Sequence, residues 1–177
     1  VILGDGATMK DTAEAVYPTQ LSWIKALGVN NHQLIDSVRG LDSVLQSDTA
    51  SASTTYVTPV GNSVAWNWKA GTEITNNDGT LTAQVSANPE AGFSVVTFTD
   101  DGIAGKTIGH GLGKTPSIVI QKPLGAGNWY ALYDLVDGSY DYMLLNTSGA
   151  RLNSTIAPPT DTVFSNLQIT GNSLAYC

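Results

Sequence analysis

Cysteine, basic residues and long apolar runs are all scarce in this chain. Its 177 residues include one cysteine, Cys177, so no intramolecular disulfide can form, and we expect the thiol to be buried in a strand or to bridge two chains. Lys and Arg number 8 against 15 Asp and Glu, which argues against nucleic-acid binding. No run approaches the roughly 18 apolar residues that cross a bilayer, so membrane insertion is not expected.

Charge is also sparse, at 13% of residues, whereas 20 Thr, 15 Ser and 12 Asn make up more than a quarter of the chain. This composition disfavours long helices, and the hydrophobic share of 42% is sufficient for a core. Runs rich in Val, Ile, Thr and aromatic residues recur every eight to twelve residues between Gly, Asn, Asp and Pro clusters. We therefore predict an all-β fold, a β-sandwich of jelly-roll or lectin-like type. At most one short helix is expected, at Asp11–Val16, where Asp11 and Glu14 have capping-box spacing.

The pattern predicts twelve strands. They are Leu21–Leu27, Gln33–Val38, Ser43–Ser47, Ser63–Lys69, Leu81–Ser86, Phe93–Thr99, Lys106–Gly109, Ser117–Lys122, Trp129–Asp134, Tyr142–Asn146, Val163–Ile169 and Ser173–Tyr176.

An internal repeat organises these strands. Each copy has a strand that ends in Lys, with Gly three residues later, and closes on Gly-Asn-Ser, an apolar residue, Ala and an aromatic residue. Lys25 aligns with Lys122, Ile35–Gly40 with Tyr133–Gly138, and Gly61–Trp66 with Gly171–Tyr176. We predict an N-terminal β repeat over residues 1–70, a connector with one strand over 71–91, and a C-terminal β-sandwich repeat over 92–177.

The two copies differ before their first shared strand. The second is preceded by the strand pattern Gly92–Thr99 and by Gly105–Gly109, whereas the first has only Val1–Val16 in that place. The first copy is therefore expected to lack opening strands, or to have them supplied otherwise. An incomplete sheet leaves unpaired edge groups, which predicts assembly with other copies of the chain.

A series of motifs gives the sequence a family resemblance. The motifs are Leu21–Lys25, His32–Gly40, Ser63–Gly71, Gly92–Thr99, Gly109–Pro116 and Leu174–Cys177. Together they resemble a β-rich repeat domain of uncharacterised function in structural and tail-fibre-like proteins of bacteriophages, especially marine ones. The resemblance covers about Pro18 to Cys177. It implies an all-β fold in a virion or adhesion setting, and it supplies no active site.

Catalytic and metal-binding patterns are weak, and we predict no catalytic residue, no metal site and no cofactor. Neither His32 nor His110 has the partners of a nucleophilic triad or of a zinc site, and we expect His110 to be a turn residue whose ring bonds a neighbouring carbonyl. Calcium is considered at Asn76–Asp78 and at Asp100–Asp101, where turn chemistry is the favoured alternative. Paired carboxylates among Asp134, Asp137 and Asp141 would be needed for glycoside hydrolysis.

Aromatic residues are the better functional signal. One predicted hairpin concentrates five of them: Trp129, Tyr130, Tyr133, Tyr140 and Tyr142. Sugar-binding sandwiches stack pyranose rings on such side chains, while Asn and Asp bond the hydroxyls. The candidate ligand-binding residues are Trp129, Tyr133, Tyr140 and Asp134, with core packing as the alternative. Trp66 and Trp68 are expected in the core or at an interface.

The sequence thus predicts a non-enzymatic structural or adhesion subunit of a phage-like virion or extracellular fibre. Its expected partners are copies of itself and other virion or fibre proteins, with a host surface glycan as a further candidate. The alternative is a lectin-like carbohydrate-binding module, and a glycan-degrading tailspike has less support.

Overall fold

The computed structural model describes residues 2–4, 20–28, 30–57, 62–103, 105–134, 140–167 and 169–177, with only the backbone described at 2–4, 20 and 134. These residues form strands and loops without a helix, so the all-β prediction is confirmed. Within the same ranges, no helix is long and apolar enough to span a membrane. The helix predicted at Asp11–Val16 lies outside the described residues.

Fifteen strands lie in the described part of the chain. They are β1 (Ile2–Gly4), β2 (Gln20–Ala26), β3 (Gln33–Asp36), β4 (Ser43–Val44), β5 (Thr54–Thr55), β6 (Ser63–Lys69), β7 (Glu73–Asn76), β8 (Ala83–Asn88), β9 (Phe93–Asp100), β10 (Thr107–Gly109), β11 (Ile118–Pro123), β12 (Tyr130–Asp134), β13 (Tyr140–Leu144), β14 (Val163–Ser165) and β15 (Gly171–Tyr176).

Two main antiparallel sheets form a sandwich. The first has the strand order β1-β6-β2-β3, and the second has the order β13-β12-β11-β15-β9-β8-β7. The pairs β4-β5 and β10-β14 form two smaller sheets.

Strand alternation divides the apolar residues between separate cores. Along β9, Phe93 and Val95 point towards the four-stranded sheet, whereas Val96 and Phe98 point away from it. The inter-sheet core contains Leu21, Leu34, Leu45, Phe93, Val95, Trp129, Leu174 and Tyr176. The opposite face of the seven-stranded sheet packs against Ile108 of β10 and Phe164 of β14. Burial on both faces explains why β9 has apolar residues on both of its faces, with Val95 and Val96 adjacent in the strand.

The predicted repeat is present in the sheet topology. The order β6-β2-β3 in one sheet matches β15-β11-β12 in the other. The register matches as well, because Lys25 lies opposite Val64 as Lys122 lies opposite Leu174. The loops make equivalent contacts: the backbone N–H of His32 donates to Asp48 Oδ1, and that of Trp129 donates to Asn146 Oδ1. Two copies of one unit therefore build the sandwich.

The sequence alignment of the repeats is wrong by one residue at the second strand. Asp36 lies opposite Leu21, and Tyr133 lies opposite Ile118, so Asp36 corresponds to Tyr133 rather than to Asp134. Strand pairing fixes this register. A sequence alignment instead favours matching the identical residues Asp36 and Asp134, even though this shifts the register by one residue.

The segment 71–91, predicted as a connector with one strand, contains two. β7 and β8 pair with each other, and β8 pairs with β9, so both belong to the seven-stranded sheet. β7 was missed because it is an edge strand with three exposed residues among its four, and such a strand carries little apolar signal.

The first copy does contain one opening strand. β1 pairs with β6 as β9 pairs with β15, so β1 is the counterpart of β9. In the second copy β9 is followed outward by β8 and β7, whereas the described residues hold no further strand beyond β1. In the described part of the chain, the first sheet is therefore smaller, and its outermost strand is the three-residue β1.

Candidate functional site

Trp129, the first predicted sugar platform, lies in the inter-sheet core. Its side chain is completely buried, and its ring stacks on Tyr176 at a centroid distance of 6.5 Å. The indole Nε1–H donates to the backbone carbonyl of Gln46 in the first repeat at 2.8 Å. Trp129 therefore takes the core alternative and joins the two repeats.

The other candidate ligand residues do not converge on one surface. Tyr133 pairs with Asp141, and Asp134 pairs with Tyr140, so the two pairs lie on opposite faces of the sheet. Tyr140 is buried, and burial raises the pKa of its hydroxyl. Tyr133 is half-buried, and the side chain of Asp134 lies outside the described residues. The predicted hairpin is thus mainly a packing element.

Two tryptophans that were expected in the core or at an interface are the exposed ones. Trp66 and Trp68 alternate on one face of β6 and are 42% and 38% exposed. Trp68 lies at the mouth of a cleft of about 430 Å³ between the two sheets, and Ile118 forms the other lip. No sequence rule separates these residues from Trp129, because all three occur in strand-like segments.

An aromatic series leads from this mouth into the core. The ring centroids of Trp68 and Phe93 are 6.2 Å apart, and those of Phe93 and Tyr176 are 6.4 Å apart. Tyr176 in turn stacks on Trp129. Offset contacts of this kind add to the free energy of burial. The series therefore fixes the two sheets against each other and holds Trp68 in place.

A buried polar network lies at the inner end of the cleft. Arg39 Nε donates to Asp36 Oδ2 at 2.6 Å, with both side chains almost completely buried. The hydroxyl of Tyr176 donates to the same carboxylate at 2.9 Å. Burial, followed by the charge of Asp36, raises the pKa of Tyr176 well above its usual range. This network links the last strand of the second repeat to the first repeat.

The repeated lysines stabilise turns. Lys25 Nζ donates to the carbonyls one and three residues later at 2.8 and 3.0 Å, and Lys122 Nζ does the same at 2.5 and 2.9 Å. Lys122 is fully buried. Burial, assisted by the charge of Arg39, lowers its pKa to about 8. Its ammonium satisfies carbonyl groups that the turn would otherwise leave without donors.

Both histidines bond within the fold. His110 is fully buried; its Nε2 lies 3.1 Å from the Thr160 carbonyl, and its Nδ1 accepts from the Leu112 N–H at 3.2 Å. The ring bonds a neighbouring carbonyl, as expected. Burial lowers the pKa of His110, so the ring is neutral with its proton on Nε2. His32 Nδ1 accepts from Trp23 Nε1 at 2.8 Å.

The two calcium candidates form turns. Asn76 Oδ1 accepts from the Asp78 N–H at 2.9 Å, and Asn76 Nδ2 donates to Asp78 Oδ2 at the same distance. Asp100 and Asp101 each accept from the backbone two residues later. Within the described ranges, no three His, Cys, Asp or Glu side chains form a group suited to a metal ion.

Asp141, one of the carboxylates considered for glycoside hydrolysis, is buried and 3.3 Å from Arg151 Nε. Asp137 lies outside the described residues. Asp141 also accepts from the backbone N–H of Ser154 at 3.2 Å. Its carboxylate therefore holds the 151–154 loop against β13.

Comparison with known proteins gives one match. A family model described as a domain of unknown function (DUF7483) matches residues 56–177, which include β6 and all of the second repeat. No curated protein matches the chain. No solved structure matches it either.

Proposed function

The chain belongs to the DUF7483 family, and we propose that it is a non-enzymatic structural or adhesion module that assembles with copies of itself through its sheet edges. An exposed apolar patch at the margin of the first sheet carries this proposal. The virion or extracellular-fibre setting is supported by the motif resemblance alone.

In the described residues, β6 is paired along only part of its outer side. β1 covers its outer side from Ser63 to Ala65, and the described residues place no strand beside Trp66 to Lys69. In the second repeat, β15 is paired along its whole length with β9. Unpaired strand edges offer backbone donors and acceptors to another chain.

The apolar patch coincides with that edge. It consists of Trp66, Trp68 and Ile118, whose exposed fractions are 42%, 38% and 53%. A single exposed apolar residue is ordinary, but adjoining large ones are typical of contact surfaces. Backbone pairing and apolar burial would thus act at the same place. The net charge of −7 keeps the free chain soluble and leaves this neutral patch available for contact.

The ionisable side chains of the core support a structural role. Arg39 and Asp36 neutralise each other, Lys122 stabilises a turn, and neutral His110 bonds two loops. Each of these groups is buried and occupied by contacts within the fold. A catalytic acid or base instead has to reach a substrate.

Sedimentation velocity over a range of concentrations tests the assembly. We expect the wild-type chain to form a defined oligomer. The single variant Trp66→Ser, and the double variant that adds Trp68→Ser, should shift the chain to monomer, because the patch loses its apolar area. Ile103→Ser is the matched control, since Ile103 is 58% exposed but lies outside the patch. A wild-type chain that stays monomeric at high concentration would contradict the proposal.

A further inference from the structure

A second surface feature lies beside the inter-sheet core and apart from the assembly patch. It is a groove of about 630 Å³, within the range of ligand-binding sites. Val38, Arg39 and Ser43 of the first repeat form one wall. The floor is formed by neutral polar side chains of the seven-stranded sheet and its loops: Thr82, Gln84, Thr97, Thr99 and Asn172.

The floor begins where the side chains on the inner face of the seven-stranded sheet change from apolar to polar. Along β9, Val95 is in the inter-sheet core, and Thr97 and Thr99 follow on the same face. Along β15, Leu174 is in the core, and Asn172 follows on the same face. The change from apolar to hydroxyl and amide groups occurs on neighbouring strands. The uncovered half of this face is thus uniformly polar.

The amide groups of the floor are held in fixed orientations. Thr99 Oγ1 donates to Asn172 Oδ1 at 2.7 Å, which leaves the amide N–H groups of Asn172 for a ligand. Gln84 Nε2 donates to Thr75 Oγ1 at 3.1 Å. Between these amides, the Thr97 hydroxyl can both donate and accept. Oriented groups of this kind reduce the entropy lost on binding.

Among the described residues that line the groove, no free charge is present to attract an ionic ligand. Its one cationic lining residue, Arg39, is paired with Asp36 at 2.6 Å and has a side chain that is 3% exposed. A phosphate or sulfate group would find no available cation there. The groove also lies on a sheet face, where backbone groups are already paired, so it cannot add a peptide strand.

We propose that this groove binds a neutral glycan. Sugar hydroxyls both donate and accept, as do the Thr hydroxyls and amide groups of the floor, and Val38 and Leu124 offer apolar surface to the C–H face of a ring. The inference rests on the adhesion role in the proposed function, and it places ligand recognition away from the predicted Trp129 hairpin.

The test is an array of neutral glucose, galactose and mannose oligosaccharides printed beside sulfated and sialylated ones. We expect the wild type to bind neutral members only. Thr97→Val keeps the side-chain shape but removes the hydroxyl, and Asn172→Ala removes the oriented amide. Each should weaken binding about tenfold, which is the loss of roughly one hydrogen bond.

Thr72→Val is the matched control, because Thr72 is exposed outside the groove, and it should bind as the wild type does. The inference is overturned if no neutral glycan binds, if charged glycans bind equally, or if both groove variants bind unchanged. Sedimentation of the same variants separates the two proposals. Groove variants should assemble normally, whereas Trp66→Ser should lose assembly but retain glycan binding at low density on the array.

Discussion

At the scale of single residues, buried polar side chains in this protein stabilise its loops. Neutral His110 joins the loop at Leu112 to the loop at Thr160 through its two ring nitrogens. Lys122 holds a turn through two carbonyls. Protonation of His110, or a truncated side chain at either position, would leave backbone groups without partners, which costs about 1–3 kcal/mol for each buried group.

The stability of the fold should therefore depend on the protonation of His110. Its pKa in the folded chain is below the ordinary 6.5, so the unfolded chain binds a proton more readily. The stabilisation that neutral His110 provides is complete above pH 6.5. It is lost as the pH falls from 6.5 towards the pKa of His110 in the folded chain. Urea denaturation at several pH values should show this loss for the wild type.

His110→Gln provides the comparison, because it cannot titrate. Its free energy of unfolding should be lower at pH 8 but should change less between pH 7 and pH 5 than that of the wild type. Equal pH dependence in the two proteins would show that His110 does not titrate differently on folding.

At the scale of elements, the β7–β8 hairpin depends on a close approach between two segments of backbone. A Cβ at Gly71 would fall directly on the carbonyl oxygen of Ala87. The Ser86 hydroxyl also donates to the Gly71 carbonyl at 2.5 Å. Only a residue without a side chain fits between these groups, so Gly71 determines how β7 enters the sheet.

Gly71→Ala should destabilise the fold by about 1–3 kcal/mol, because the backbone has to move to accept the methyl group. Gly28→Ala is the control, since a Cβ there meets nothing within 4 Å. Hydrogen exchange should show faster exchange in β7 and β8 for Gly71→Ala alone. Unchanged protection of both strands would contradict this account of the hairpin.

At the scale of the whole molecule, the two repeats are interlocked. Trp129 of the second repeat bonds Gln46 of the first, and Tyr176 bonds Asp36. Backbone bonds between the repeats add to this, among them Ser53 N–H to the Leu124 carbonyl at 2.8 Å. The inter-sheet core is built from both repeats. Neither repeat can therefore keep its core without the other.

Unfolding should accordingly be a single transition, with tryptophan fluorescence and far-UV circular dichroism coincident in urea. Trp129→Ala should lower the free energy of unfolding by about 3–5 kcal/mol and keep one transition, because its cavity lies in the shared core. Leu27→Ala is the control. The Leu27 side chain is 65% exposed, so this substitution should change the free energy of unfolding little. Two separate transitions in the wild type would show that the repeats are independent domains.

The sequence by itself determined the all-β class, the duplication and the equivalence of repeated residues such as Lys25 and Lys122. These follow from local chemistry: strand alternation, turn residues and the spacing of Lys and Gly operate over a few residues. Even the Asp36–Arg39 ion pair joins two residues that are only three positions apart in the sequence.

Only the tertiary structure decided which aromatic residues are exposed. Alternation assigns a side chain to a face, but it does not say whether another sheet covers that face. The four-stranded sheet covers Trp129 and leaves Trp68 at its margin, and it stops before Thr97. The edge strand β7 escaped sequence detection because its exposed residues carry little apolar signal. Its place depends on pairing with β8, and pairing between strands is a long-range property.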